Sequence, residues 1–176
     1  MTDGSKPIEN PLVAVFKNDL GSKLTNVASP RQRRVILEAT LESYRDVIRY
    51  LQEKLDCYHL SLINGVDLKT SFEVVYHFWS DKNGMFSLKV PLLRDRPEIG
   101  TVTDIVPAAI LYEREVHDLF GIEFPGHPDM RRLLLSDDWP PGEHPLRKDW
   151  KPGEKKMLCL IKSAEMKAAK GGEKVA

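Results

Sequence analysis

The 176 residues are 41% apolar and 30% charged, a balance that favours one folded domain with tails over a disordered chain. The 26 Lys and Arg residues are cancelled by 26 Asp and Glu; this excludes the positive excess that general nucleic-acid binding requires and suits a chain held inside a larger assembly. No apolar run approaches the ~20 residues of a membrane-spanning helix, Met1–Asn10 carries no secretory or transit pattern, and Cys57 and Cys159 are too few for a four-thiolate iron–sulfur cluster.

Taken along the chain, Leu12–Phe16 reads as a candidate strand. Pro30–Asp56 reads as a long helix, because Leu37, Leu41, Tyr44, Ile48, Leu51 and Leu55 recur at steps of three and four residues. Ser29 and Pro30 would begin it as cap and first-turn residue. Tyr58–Val66 reads as a strand, and Ser71–Trp79 as a clearer one, with Phe72, Val74, Tyr76 and Phe78 on one face. Asp81-Lys82-Asn83-Gly84 predicts a hairpin turn, with a return strand alternating Phe86, Leu88, Val90 and Leu92.

Arg94–Thr101 is expected to be a loop. A second helix is expected from about Asp104 to Leu119, ending at Gly121. Five prolines between Glu123 and Trp150 forbid regular structure there and predict an extended arm. The Lys- and Ala-rich end, Met157–Lys170, reads as a short helix or a tail. The expected fold class is therefore α+β: an antiparallel sheet on a long amphipathic helix, then a second helix and a proline-rich arm. The corresponding division is 1–122 domain, 123–150 arm and 151–176 charged tail.

The second helix concentrates the informative residues. At ~100° per residue, Ala109, Tyr112, Val116 and Leu119 form a narrow apolar stripe flanked by Glu113 and Glu115. Arg114 and Asp118 lie opposite at a spacing that lets them pair. Ile110 and Leu111 fall off the stripe, so this helix calls for a second neighbour besides the sheet. Glu113 and Glu115 do not share a face, which disfavours a catalytic dyad, and structural ion pairs are the plainer account of these charges. His117, His127 and His144 lack the short spacing of zinc ligands, and two of them precede proline. In the arm, the tripeptide Leu133–Leu135, Trp139 and Trp150 are set among Arg131, Arg132, Arg147 and Lys148. Either the segment folds back over its own sheet, or it lies along a partner as an extended arm gripped through arginine; a solvated loop is the third and least favoured reading.

The string Glu113-Arg114-Glu115-Val116-His117-Asp118-Leu119-Phe120-Gly121-Ile122, followed by Gly126-His127-Pro128, Arg131-Arg132-Leu133-Leu134 and Pro145-Leu146-Arg147-Lys148-Asp149, resembles the signature of the complex I 30 kDa subunit family. That family includes the C subunit of bacterial NADH-quinone oxidoreductase. It also includes equivalents in chloroplast-type, F420H2-dependent and membrane-bound hydrogenase complexes. The resemblance runs from Pro30 to Trp150. It departs from the family pattern at Ile110-Leu111-Tyr112, where members often carry Asn-Trp, and at His117, where Tyr is common.

The resemblance implies a non-catalytic hydrophilic subunit on the cytoplasmic side of a prokaryotic membrane complex. Its partners would be a 49 kDa-type subunit that bears the quinone site and neighbouring iron–sulfur subunits. It implies no catalytic, cofactor or metal residues in this chain, with flavin, iron–sulfur clusters and quinone in other subunits. The residues expected at the subunit interface are Glu113, Arg114, Glu115, Asp118, His127, Arg131, Arg132, Arg147, Lys148 and Trp150. The alternatives are a stand-alone metal-dependent hydrolase using His117, His127 and Asp118, and a free cytosolic adaptor. The electron donor stays open among NADH, F420H2, ferredoxin, formate and hydrogen.

Overall fold

A computed structural model describes residues 10–152. Cys159 and the Met157–Lys170 segment lie outside that range. Three helices, α1 (Pro11–Leu20), α2 (Tyr44–Leu55) and α3 (Ala109–Phe120), accompany five strands: β1 (Leu24–Arg31), β2 (Arg34–Ala39), β3 (His59–Asp67), β4 (Ser71–Ser80) and β5 (Gly84–Leu93). The sheet order is β1-β2-β5-β4-β3. All neighbours are antiparallel except β2 and β5.

The hairpin read from Asn-Gly is present, with Phe78 opposite Phe86 and Tyr76 opposite Leu88. The parallel pair arises because α2, β3 and β4 intervene before β5 returns beside β2. Val35 then meets Phe86 and Leu37 meets Leu88. One face of the sheet therefore collects Val35, Leu37, Phe72, Val74, Tyr76, Phe78, Phe86 and Leu88, all fully buried. Both α1 and α2 cover it. Phe16 of α1 lies 5.8 Å from the Phe86 ring and 5.9 Å from Tyr50, and Tyr44 of α2 stacks on Tyr76 at 6.2 Å. Burying each such aromatic stabilises the fold by roughly 1.5–3 kcal/mol.

The long helix expected over Pro30–Asp56 is only its second half. Leu37 and Tyr44 do share a periodic spacing, but Val35, Leu37 and Ala39 alternate into the core as a strand, and Leu41 is exposed in the connection. Ser29 is therefore no helix cap. It lies in β1, where its hydroxyl donates to the Arg34 carbonyl at 3.0 Å. Leu12–Phe16 is helical, not extended. Asn10 caps it by accepting from the Leu12 N–H at 3.1 Å, and Pro11 occupies the first turn. α3 starts at Ala109 rather than near Asp104, because Pro107 disfavours helical backbone in the residue before it. Its C-cap is Gly121, at φ +65°, as read from the sequence.

The 123–150 segment has no helix or strand, as its prolines require. It is not an arm extended from the body, however; its backbone and side chains bond back onto α3 and the end of β3.

α3 reaches the sheet at Gly65 of β3. A Cβ there would stand 2.5 Å from the Phe120 ring, so glycine sets how closely helix and strand approach. Gly65→Val is expected to lose about 1–3 kcal/mol by overpacking, read as a lower urea midpoint. A Phe120→Leu change in the same chain should recover part of that loss.

Candidate docking site

The last carbonyls of an α-helix have no partner within the helix. At the end of α3 the Gly121 N–H satisfies His117 O at 2.8 Å. The carbonyls of residues 118–121 take their donors from one short stretch further along the chain. His144 Nδ1 donates to Asp118 O (3.0 Å) and the Leu146 N–H to Leu119 O (3.1 Å). Arg147 Nε donates to Phe120 O (2.6 Å), and its Nη2 to Gly121 O (3.3 Å). The His-Pro-Leu-Arg sequence is thus a C-terminal cap supplied from a distance. Burial lowers the pKa of both His144 and Arg147. A neutral His144 ring with its proton on Nδ1 matches the bond it makes. Arg147 also lies over the Phe72 ring at 5.2 Å, and Arg94 lies over the same ring at 4.8 Å. A Cβ on Gly121 would collide with the His144 and Arg147 side chains.

Two side chains of α3 hold the next part of the segment. Arg114 donates to the carbonyls of Arg131 and Arg132 at 2.8 and 2.9 Å. Asp118 Oδ2 accepts the N–H groups of Leu133, Leu134 and Leu135 at 2.8, 2.8 and 3.3 Å. Burial alone would raise the Asp118 pKa, but these three donors hold it below the usual carboxylate value. Arg132 continues the binding, donating to Ser136 O and Trp139 O. The ion pair expected between Arg114 and Asp118 does not form, since each is engaged with backbone.

With its backbone pinned this way, the segment turns Leu134 outward at 55% exposure, beside Leu133 at 38%. Leu111 is 53% exposed and precedes Arg114 and Asp118 by three and seven residues, which puts it on the same helix flank. Leu146, in the distant cap, is also exposed. The apolar stripe read on α3 needs correction as well. Glu113 and Asp118 are buried, while Tyr112 and Leu119 are half-buried, because the loop at Thr101 and Val102 and the 123–150 segment, a strap across α3, cover the helix on flanks that a helical projection leaves open.

A third fastening ties the strap to the sheet. Asp67 ends β3 with its side chain buried. It accepts Arg94 Nη1 at 2.8 Å, the Lys148 N–H at 2.8 Å and the Lys69 N–H at 2.7 Å. Burial opposes ionisation, but Arg94 and the two N–H donors lower its pKa to about 2. Arg94 also bridges to Asp149 at 2.9 Å. In the sequence Asp67 stands out only as a strand-ending residue. No local pattern links it to Lys148, 81 positions away.

Glu113 is fully enclosed. Its carboxylate accepts Thr101 Oγ1 at 2.5 Å and the Val102 N–H at 2.8 Å, and burial raises its pKa. His127 Nε2 stands 4.0 Å away. The Asp129 N–H donates to His127 Nδ1 at 3.0 Å. That fixes the ring proton on Nε2, which donates to Ile110 O at 3.0 Å.

Of the ten residues expected at the interface, Glu113, Arg114, Asp118, His127, Arg132 and Arg147 direct their polar groups into this chain. Trp150 packs on Trp139 at 5.8 Å and donates to Glu143. Arg131 is exposed and paired with Asp129. Glu115 is half-buried, and Lys148 presents its side chain to the surface. His117, His127 and His144 each bond a backbone carbonyl. Among the described residues no three His, Cys, Asp or Glu side chains gather as a metal site. Asp67 and Arg94 are parts of this unit that the sequence alone does not single out, whereas Leu111, read from the sequence as lying off the apolar stripe, is exposed.

A family model described as the 30 kDa subunit of respiratory-chain NADH dehydrogenase matches residues 37–156, the span holding this whole arrangement. The chain belongs to that family. It is 38% identical over 125 residues to the C subunit of F420H2 dehydrogenase from Methanosarcina mazei, covering 69% of this chain and 77% of that one. It is 34% identical over 153 residues to the C/D subunit of NADH-quinone oxidoreductase from Edwardsiella ictaluri, covering 80% of this chain but only 25% of the relative; the chain thus spans about a quarter of such C/D proteins. Its fold is similar to a component of the membrane-bound sulfane sulfur reductase, an archaeal respiratory membrane complex (TM-score 0.72, 30% identity, 88% of this chain and 89% of the other). It is also similar to a trypsin-resistant fragment of Nqo5 (TM-score 0.57, 27% identity, 68% and 99%). By that membership the protein is a subunit of a complex I-type oxidoreductase assembly. No described helix is long and apolar enough to cross a membrane.

Two outcomes test the internal fastenings. Glu113→Ala would orphan a buried N–H and hydroxyl and is expected to cost about 3 kcal/mol, seen in urea unfolding, with Glu113→Gln costing less. Asp67 has a depressed folded-state pKa, so its contribution is present above the ordinary Asp pKa near ~4 and lost as pH falls through about 2. The urea midpoints of wild type and Asp67→Asn should therefore differ most above that range and converge on acidification.

Proposed function

We propose that the chain is a non-catalytic docking subunit that holds the 49 kDa-type, quinone-site subunit of a complex I-type oxidoreductase in register. The observation that carries this reading is the pinned presentation of Leu133 and Leu134. Five backbone groups of residues 131–135 are bound by Arg114 and Asp118, so two leucines are held in water at a fixed place. Ordering an exposed apolar turn has a use when a partner covers it, because binding then loses little further entropy. Leu111, on the same flank of α3 as Arg114 and Asp118, is exposed as well, and the charged, exposed Arg131 lies two residues before Leu133. The C/D relatives, whose name joins two subunits in one protein, support close packing between a C-type protein and its neighbour.

In this reading flavin, iron–sulfur clusters and quinone belong to other subunits. The chain touches the membrane only through the complex, on the cytoplasmic side. Glu113 and Asp118 act indirectly, by shaping the surface. Arg147 does the same through the α3 cap, so its loss would loosen the strap and weaken assembly.

The test is gentle detergent extraction of membranes carrying the tagged chain, followed by mass spectrometry. The expected result is co-purification of a 49 kDa-type subunit with iron–sulfur proteins. Recovery of the chain alone would overturn the proposal. Leu134→Asp is expected to cut that recovery about ten-fold or more, the loss typical of an interface anchor, while the urea midpoint of the isolated chain stays unchanged.

A further inference from the structure

The docking unit occupies the β3 side of the sheet and leaves β1, at the opposite edge, with no strand on its outer side among the described residues. α1 runs beside β1 without closing on it. Between them lies a cavity of about 760 Å³ lined by Pro11, Val13, Ala14, Val27, Ala28 and Ile36, among others. A second cavity shares its Lys17 and Val27, and a third shares its Asn10 and Pro11, so the three form one groove along the strand. The middle is apolar. The cations Lys17, Arg33 and Lys82 stand along it, and no described lining residue is acidic. Lys82 reaches Asp56 at 3.7 Å, but both are well exposed, and such a pair holds its charges weakly. Arg33 spends one nitrogen on the Asp81 carbonyl and lies over Trp79, which fixes its guanidinium at the groove's end.

The edge itself is ill suited to strand addition. β1 carries two register shifts and Pro30, devices that block pairing along an edge. An occupant would insert side chains into the groove rather than extend the sheet. We propose that this groove receives an apolar segment flanked by carboxylates, contributed by a neighbouring subunit of the complex. The apolar middle would take the segment's hydrophobic side chains, and the acid-free cationic rim would select its charges. Every residue lining the central cavity precedes residue 37, where the family match begins. The inference rests on membership of a multisubunit assembly but not on the leucine surface.

The test uses the full chain in its assembled complex, with a photo-crosslinking phenylalanine derivative at Ala14, an exposed position in the groove, and a parallel probe at Leu134. The expected product at Ala14 is a crosslink to an apolar segment of another subunit with Asp or Glu within a few residues. Lys17→Glu should reduce that product about five-fold or more while leaving the Leu134 crosslink intact. The proposal is overturned by a crosslink from Ala14 to residues 1–9 or 153–176 of the same chain, to a second copy, or to a segment lacking carboxylates. It is also overturned by no crosslink from Ala14. If the Leu134 probe still captures its partner in that case, the docking surface survives alone; if neither probe captures anything, both readings fail.

Discussion

The end of α3 is the constraint on which the rest of the molecule turns. Its four terminal carbonyls need donors, and they lie where the helix meets β3 and where water is largely displaced. His144, Leu146 and Arg147 supply those donors. Once they do, the intervening residues from Ile122 to Glu143 are confined to a closed loop on the α3 surface. Arg114 and Asp118 fasten that loop midway, and Asp67 fastens its end to the sheet. Prolines suit this path because few of its backbone groups belong to a ladder, and each proline removes a donor that would otherwise need a partner.

Much of the sheet was legible from local pattern. The alternation of Phe72, Val74, Tyr76 and Phe78, the Asn-Gly turn and the answering alternation in β5 involve neighbours in sequence, and they fold as read. β2 was not legible, because Leu37 serves equally well as the start of a helical period through Leu41 and Tyr44. What decides between the two is Val35 and Leu37 packing beside Phe86 and Leu88, a contact far along the chain. α1 failed for a related reason. A short apolar run has no period of its own, and the deciding signal was the Asn10-Pro11 start.

The charged motif shows the same limit in a different form. Its residues lie within the span matched by the family model. A helical projection, however, treats every charge as facing either solvent or another side chain. Glu113, Arg114 and Asp118 instead face backbone amides and carbonyls of loops that a projection does not contain. Long-range partners such as Asp67 and Lys148 leave no periodic trace at all. The sequence alternatives for the strap, folding back over the sheet or reaching out, turn on these bonds, and the segment does fold back, but onto α3 and the end of β3 rather than over the sheet.

This changes where binding energy should reside. An arginine-rich, proline-rich segment invites the view that its charges grip a partner. Yet a guanidinium already bonded to Phe120 and Gly121 carbonyls would have to abandon buried acceptors to do so, and each acceptor left unpaired costs about 1–3 kcal/mol. The charges are better understood as having been used once, internally, to fix a shape. What that shape offers outward is leucine: Leu111, Leu133, Leu134 and Leu146, side chains with no polar obligations and little further to lose on being covered. A signature written in charged residues can thus specify an apolar contact, and substitutions in the charges would act on assembly by way of the surface they hold in place.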